Sequence, residues 1–122
     1  MGQKGFRQGL IAGILVALFF GVALCLRVVP PYDKVFVDDW IKFTGVDAYF
    51  FMRLVDNLAH NFPHLSTFDP YLLYPSGYAI TAARHFFVYL LAGVIWLAGL
   101  GSPTQHTVDI VGVYFPAVLG AL

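Results

Sequence analysis

The chain has 122 residues, of which 59% are hydrophobic, 17% aromatic and 11% charged, and its seven basic and seven acidic residues cancel. Soluble domains carry about 25% charged residues, so the composition argues against a free-standing soluble globule. Without a basic excess to neutralise a phosphate backbone the chain is not built for nucleic acid, and its single cysteine excludes an intrachain disulfide framework and a cysteine-cluster metal site.

Leu10 to Leu26 (LIAGILVALFFGVALCL) carries no charge and lies between Arg7 and Arg27. With Val28 and Val29 it reaches the roughly 20 residues that cross a hydrocarbon core. A cleaved signal peptide would also begin with a basic stretch such as Lys4 and Arg7. The apolar run is longer than the usual h-region of about 7–15 residues, and no small-x-small cleavage site follows it. Cys25 follows Leu24 rather than a small residue, which makes a poor lipoprotein site. Residues 1–29 are therefore read as an N-terminal segment and a first transmembrane helix. Cys25 then lies in mid-membrane as inert packing.

Residues 30–85 hold six of the seven aspartates. The stretch is too apolar and aromatic for a disordered linker. Pro30-Pro31 stops the first helix, and KVFVDDWIKF from Lys34 follows as strand or helical turn. Asp38-Asp39 reads as a solvated turn, because adjacent side chains do not share a face. Next, Phe51, Leu54, Val55, Leu58 and Phe62 recur at helical spacing, which predicts an amphipathic helix from about Ala48 to Asn61, closed by Pro63. Asp47 directly precedes it and is expected to act as the N-cap. Its second oxygen would remain free for a cation. Asp56, His60 and His64 are spaced i, i+4, i+8, but Pro63 breaks the helix before His64, so a histidine metal site is not expected there. FDPYLLYPSG, from Phe68 to Gly77, predicts two turns and a rigid loop docked on the rest of the protein.

Phe86 to Leu100 (FFVYLLAGVIWLAGL), introduced by Arg84 and His85 and closed by Gly101, Ser102 and Pro103, predicts a second transmembrane helix over 86–101. Residues 102–122 read as a short connection and the start of a third span, since the run from Ile110 to Leu122 is too short to cross. An apolar run cut at this point points to the N-terminal part of a longer polytopic protein. Lys4 and Arg7 favour an inside N-terminus, which places 30–85 on the extracytoplasmic side. Lys34, Lys42, Arg53 and Arg84 within that loop keep the charge count from deciding the matter alone.

TGVDAYFFMRLVDNL followed by NFPHLSTFDPYLLYPSG, Thr44 to Gly77, resembles the first external loop of the single-subunit oligosaccharyltransferases of archaea and bacteria, which are related to the catalytic subunit of the eukaryotic complex. The resemblance implies a mainly α, polytopic membrane protein with the GT-C fold, of which this chain is the N-terminal part: transmembrane helices and an external loop carrying an amphipathic helix. It implies transfer of a glycan, with inversion, from a lipid-linked oligosaccharide on a polyprenyl (di)phosphate to asparagine in Asn-x-Ser/Thr of an acceptor protein or peptide. It implies a Mg or Mn cofactor, with Asp47 at the position of the catalytic, metal-binding first-loop acidic residue. The residues 1–122 alone are expected to be inactive.

The chemistry suits that role. A hard cation held by carboxylate oxygens stabilises charge on a departing phosphate, and carboxylates can hold the N–H groups of a poorly nucleophilic amide. Two departures stand out. Phe51 occupies a position where many relatives carry histidine. YAITAARHFF lacks the expected Trp- and Pro-containing approach to the next span, leaving His85 as the local histidine candidate for the metal. Two other readings compete: another GT-C transferase using a polyprenyl-phosphate sugar, against which the absence of glutamate counts, and a non-enzymatic membrane module in which Asp47 is only a cap.

Overall fold

The computed structural model describes residues 2–81 and 85–122, with side chains from residue 5 onward. Helix α1 (Gly2–Val28) is 27 residues long, about 40 Å at 1.5 Å per residue. Its best window reaches a mean hydropathy of 2.7 and none of that window is buried in the chain. A helix that is apolar all round needs either a core or a membrane, and this one has no core around it.

After α1 the chain turns into a folded layer. Helix α2 (Tyr32–Val35) leads into an antiparallel hairpin, β1 (Phe36–Val37) with β2 (Trp40–Ile41), in register Phe36 with Ile41. Asp38 and Asp39 form its exposed two-residue turn, Asp38 at φ 53°. The expected solvated turn is what the chain builds there.

Helix α3 (Val46–His60) follows, then β3 (Phe68–Asp69) paired antiparallel with β4 (Tyr78–Ala79). Gly77, in the Pro-Ser-Gly turn between them, has φ 72° and the Phe68 ring lies against its Cα, so any side chain there would strike the ring. Helices α4 (Phe86–Ala98) and α5 (Gln105–Ala121) complete the layer.

The core lies between α3 and α4. Leu54, Val55, Leu58 and Ala59 pack against Val88, Leu91, Ala92 and Ile95, with Val108 of α5 and Ile80 closing the ends. Each fully buried Leu or Ile contributes about 1.5–3 kcal/mol by leaving water. Phe62 stacks on Trp96 at 5.6 Å, joining the C-terminal ends of α3 and α4. Thr104 caps α5, its Oγ1 accepting from the Thr107 N–H at 3.3 Å.

The second span expected over 86–101 meets a 13-residue helix, about 20 Å long against a hydrocarbon core of about 30 Å. One side of α4 packs on α3. Arg84, expected beside His85 at its start, lies outside the described residues. Helix α5 runs antiparallel to α1: Tyr114 lies 5.9 Å from Phe36, Gly120 sits against the Arg27 guanidinium, and Ala121 and Leu122 line a cleft with Phe20 and Ala23.

Candidate functional site

The Asp47 end of α3 is set by a glycine. Gly45 precedes the helix at φ 98°, ψ 150°, a conformation confined in practice to glycine. The helix therefore begins at Val46, two residues before the predicted start. Asp47 stands inside the first turn and makes no side-chain capping bond. The expected N-cap role is thus corrected: the glycine turn brings the chain into the helix two residues too early for Asp47 to occupy the cap.

The carboxylate is exposed and has no hydrogen-bond or ion-pair partner among the described residues. Both of its oxygens are open. Asp47 is followed at i+7 by Leu54 and at i+11 by Leu58, spacings that return to one side of a helix with 3.6 residues per turn. Leu54 and Leu58 are buried. Asp47 therefore projects on the core-facing side of α3, beyond the part that neighbouring helices cover.

His85 directly precedes α4. It is partly buried, and its Nδ1 is buried without a partner among the described residues. Asp47 and His85 each open a helix, at the ends away from the Phe62–Trp96 contact. No group of three His, Cys, Asp or Glu side chains suited to a metal forms among the described residues.

The other half of α3 is braced. Arg53 donates through Nη2 to Asp69 Oδ1 at 2.9 Å, and the same oxygen accepts from the Tyr71 N–H at 2.9 Å. The Arg53 guanidinium lies 4.9 Å from the centre of the Tyr71 ring. Asp69 is 6% exposed and Arg53 50%. The turn at Asp-Pro was legible in the sequence; the partner sixteen residues upstream carried no local signal. Asp56, near the same brace, meets His60. His60 Nδ1 lies 3.2 Å from Asp56 Oδ1 but aligns with the Asp56 carbonyl oxygen at 2.9 Å, so Oδ1 stays without a hydrogen bond. His64 joins neither residue in an ion pair.

Residues 8–122 match the family described as oligosaccharyl transferase STT3, N-terminal. Among curated proteins, the chain is 36% identical over 104 residues to dolichyl-phosphooligosaccharide-protein glycotransferase 3 of Archaeoglobus fulgidus, covering 83% of this chain and 11% of that one. It is 32% identical over 91 residues to the dolichyl-monophosphooligosaccharide-protein glycotransferase AglB of Haloferax volcanii, covering 75% and 9%. A third relative, dolichyl-phosphooligosaccharide-protein glycotransferase 1 of Archaeoglobus fulgidus, is 31% identical over 109 residues, covering 89% and 17%. The chain thus spans between about a tenth and a sixth of the length of these relatives. No solved structure matches it. With a bare apolar helix in front of a folded layer whose helix α3 carries the Asp47 motif, and with the match running through nearly all of it, the chain belongs to the STT3 oligosaccharyl transferase family, as a membrane protein and from the family's N-terminal part.

Proposed function

We propose that this chain is the N-terminal part of an oligosaccharyltransferase that moves a glycan from a polyprenyl (di)phosphate lipid to asparagine in Asn-x-Ser/Thr. The observation that carries the reading is the Asp47 carboxylate: exposed, unpartnered, and held on the rigid first turn of α3 inside the family-matched segment. Asp69, by contrast, is paired with Arg53.

Asp47 fits a hard cation such as Mg or Mn, which takes carboxylate oxygens, and a chain of this length leaves the remaining ligands to the rest of the protein. Such an ion, when bound, supplies charge stabilisation to a departing lipid phosphate. The part this chain plays is to place one carboxylate at a fixed point. That carboxylate can also accept the N–H of an acceptor amide and orient its nitrogen toward the sugar carbon. His85 remains a secondary candidate, with its buried unpartnered nitrogen as the supporting observation.

The topology we propose is built on the same elements. The protein is multi-pass, with α1 as the first span. We read α5 as a further span, supported by its antiparallel run against α1, and α4 as a short apolar helix that packs on α3. With Lys4 and Arg7 inside, the layer from residue 30 to α4 is extracytoplasmic. The lipid-linked donor would reach it from the membrane and the acceptor polypeptide from the aqueous side.

The test is peptide glycosylation by the complete protein with Asp47→Ala, with Mg or Mn supplied and then chelated. Transfer is expected to fall by several orders of magnitude with the fold intact, and to fall likewise on chelation. An unchanged rate in the variant overturns the assignment of Asp47.

A further inference from the structure

Beside the Arg53–Asp69 brace lies a pocket of about 340 Å³, at the small end of the range of about 300–1,000 Å³ for ligand pockets. Arg53, Asp56, Asn57 and Ser66 bring donors and acceptors to its wall, and Tyr71 brings an exposed aromatic face. The brace fixes Arg53 and Tyr71 relative to each other. Asp56 Oδ1, at the wall, is buried and has no hydrogen-bond partner among the described residues.

The charges select among ligands. Two carboxylates, Asp56 and Asp69, face one guanidinium, Arg53, so the wall carries a net negative charge and repels phosphate or carboxylate. A cation would compete with Arg53 for the Tyr71 face, and would find Asp69 already paired and Asp56 Oδ1 3.2 Å from His60 Nδ1. A neutral polyhydroxylated ring meets neither obstacle. Its hydroxyls both donate and accept, which matches a wall that mixes guanidinium, amide, hydroxyl and carboxylate. Its C–H face can lie on an aromatic ring.

Position narrows the ligand further. Arg53 and Asn57 stand six and ten residues beyond Asp47 on α3, about 9–15 Å along the axis and about 100° round it. We propose that this pocket is a glycan subsite for a sugar of the donor oligosaccharide remote from the transferred carbon, a site distinct from the Asp47 end. The inference rests on the proposed glycosyl transfer and deepens it. A ring next to the reacting bond cannot reach the pocket, whereas a longer chain can. Donor length therefore governs whether the pocket contributes.

The experiment uses the complete protein with two donors on the same lipid, one bearing a single sugar and the other an oligosaccharide. The readout is the ratio of kcat/KM for the long donor over the short one. Lys34→Ala, exposed and outside the pocket, is expected to keep the wild-type ratio. Asn57→Ala and Tyr71→Ala are each expected to lower it about tenfold, through KM for the long donor. Asn57→Gln, which keeps the amide, is expected to restore part of the loss and guards against a folding defect. A ratio unmoved by both alanine variants overturns the subsite. A rise in KM for the acceptor peptide instead also overturns it, giving the pocket to the polypeptide. If the wild-type protein transfers neither donor, the proposed function falls and takes the subsite with it; transfer with an unmoved ratio removes the subsite alone.

Discussion

The two ends of α3 are built for opposite purposes. At its C-terminal half, Leu54, Val55 and Leu58 are buried against α4 and Arg53 is tied to Asp69. At its first turn, Val46 and Asp47 are exposed and the carboxylate has no partner among the described residues. One helix therefore carries both an anchor and a free functional group, and rigidity in the first supplies placement for the second. A carboxylate on a packed helix holds its geometry better than one on a loop. The sharpest way to break this comparison is the Asp47→Ala variant. Its expected effect is on the order of a thousandfold in transfer, about 4 kcal/mol of barrier, with a melting temperature close to that of the wild type, because an exposed unpaired side chain holds nothing in place.

The packed end should give the reverse. Leu58 is fully buried, and Leu58→Ala is expected to cost about 2–5 kcal/mol of stability, the range for a deleted core leucine. Thermal unfolding of the complete protein measures it. Transfer per folded molecule should change far less than in the Asp47 variant. A loss of activity without loss of stability at Leu58 would erase the division between the two ends.

Between these lies Gly45. A side chain there meets open space, with no atom within 4 Å of a Cβ, so the cost of Gly45→Ala is all backbone. Holding alanine at φ 98° costs about 1–3 kcal/mol, or else the helix entry relaxes and moves Asp47. Activity is expected to fall more than the stability loss accounts for. Equal melting and equal transfer in this variant would show that the glycine turn does not place the carboxylate.

The legible and illegible parts of the sequence divide along the same line. The apolar spacing predicted α3 and its buried face, and Leu54, Val55 and Leu58 are buried as that spacing requires. Phe51, on the same predicted stripe, is 41% exposed. The N-cap was misread because propensity favours Asp at a helix start, while a positive φ at Gly45 leaves no mark in the sequence beyond the glycine itself. Hydrophobicity marked α4 as an apolar helix, but composition carries no sign that one of its sides packs on α3. Pairing of Arg53 with Asp69 was out of reach for a different reason: sixteen residues separate them, and only the docking of the β3–β4 turn brings them together.

That pairing gives the smallest effect and the finest test. Arg53 is half exposed, so solvent screens the pair and its net worth is about 0.5–1 kcal/mol. Arg53→Met leaves Asp69 buried with only the Tyr71 N–H, and Asp69→Asn keeps an acceptor for that N–H but loses the charge. Each is expected to cost about 1–2 kcal/mol, with the double variant less than the sum by a coupling of about 0.5–1 kcal/mol. The cycle is read from unfolding of the complete protein and its three variants. A coupling of that size confirms that β3 is locked to α3 by this contact and that the anchor end includes the loop as well as the helix core. Zero coupling would confine the anchor to the apolar stripe, and the buried position of Asp69 would then follow from the turn alone.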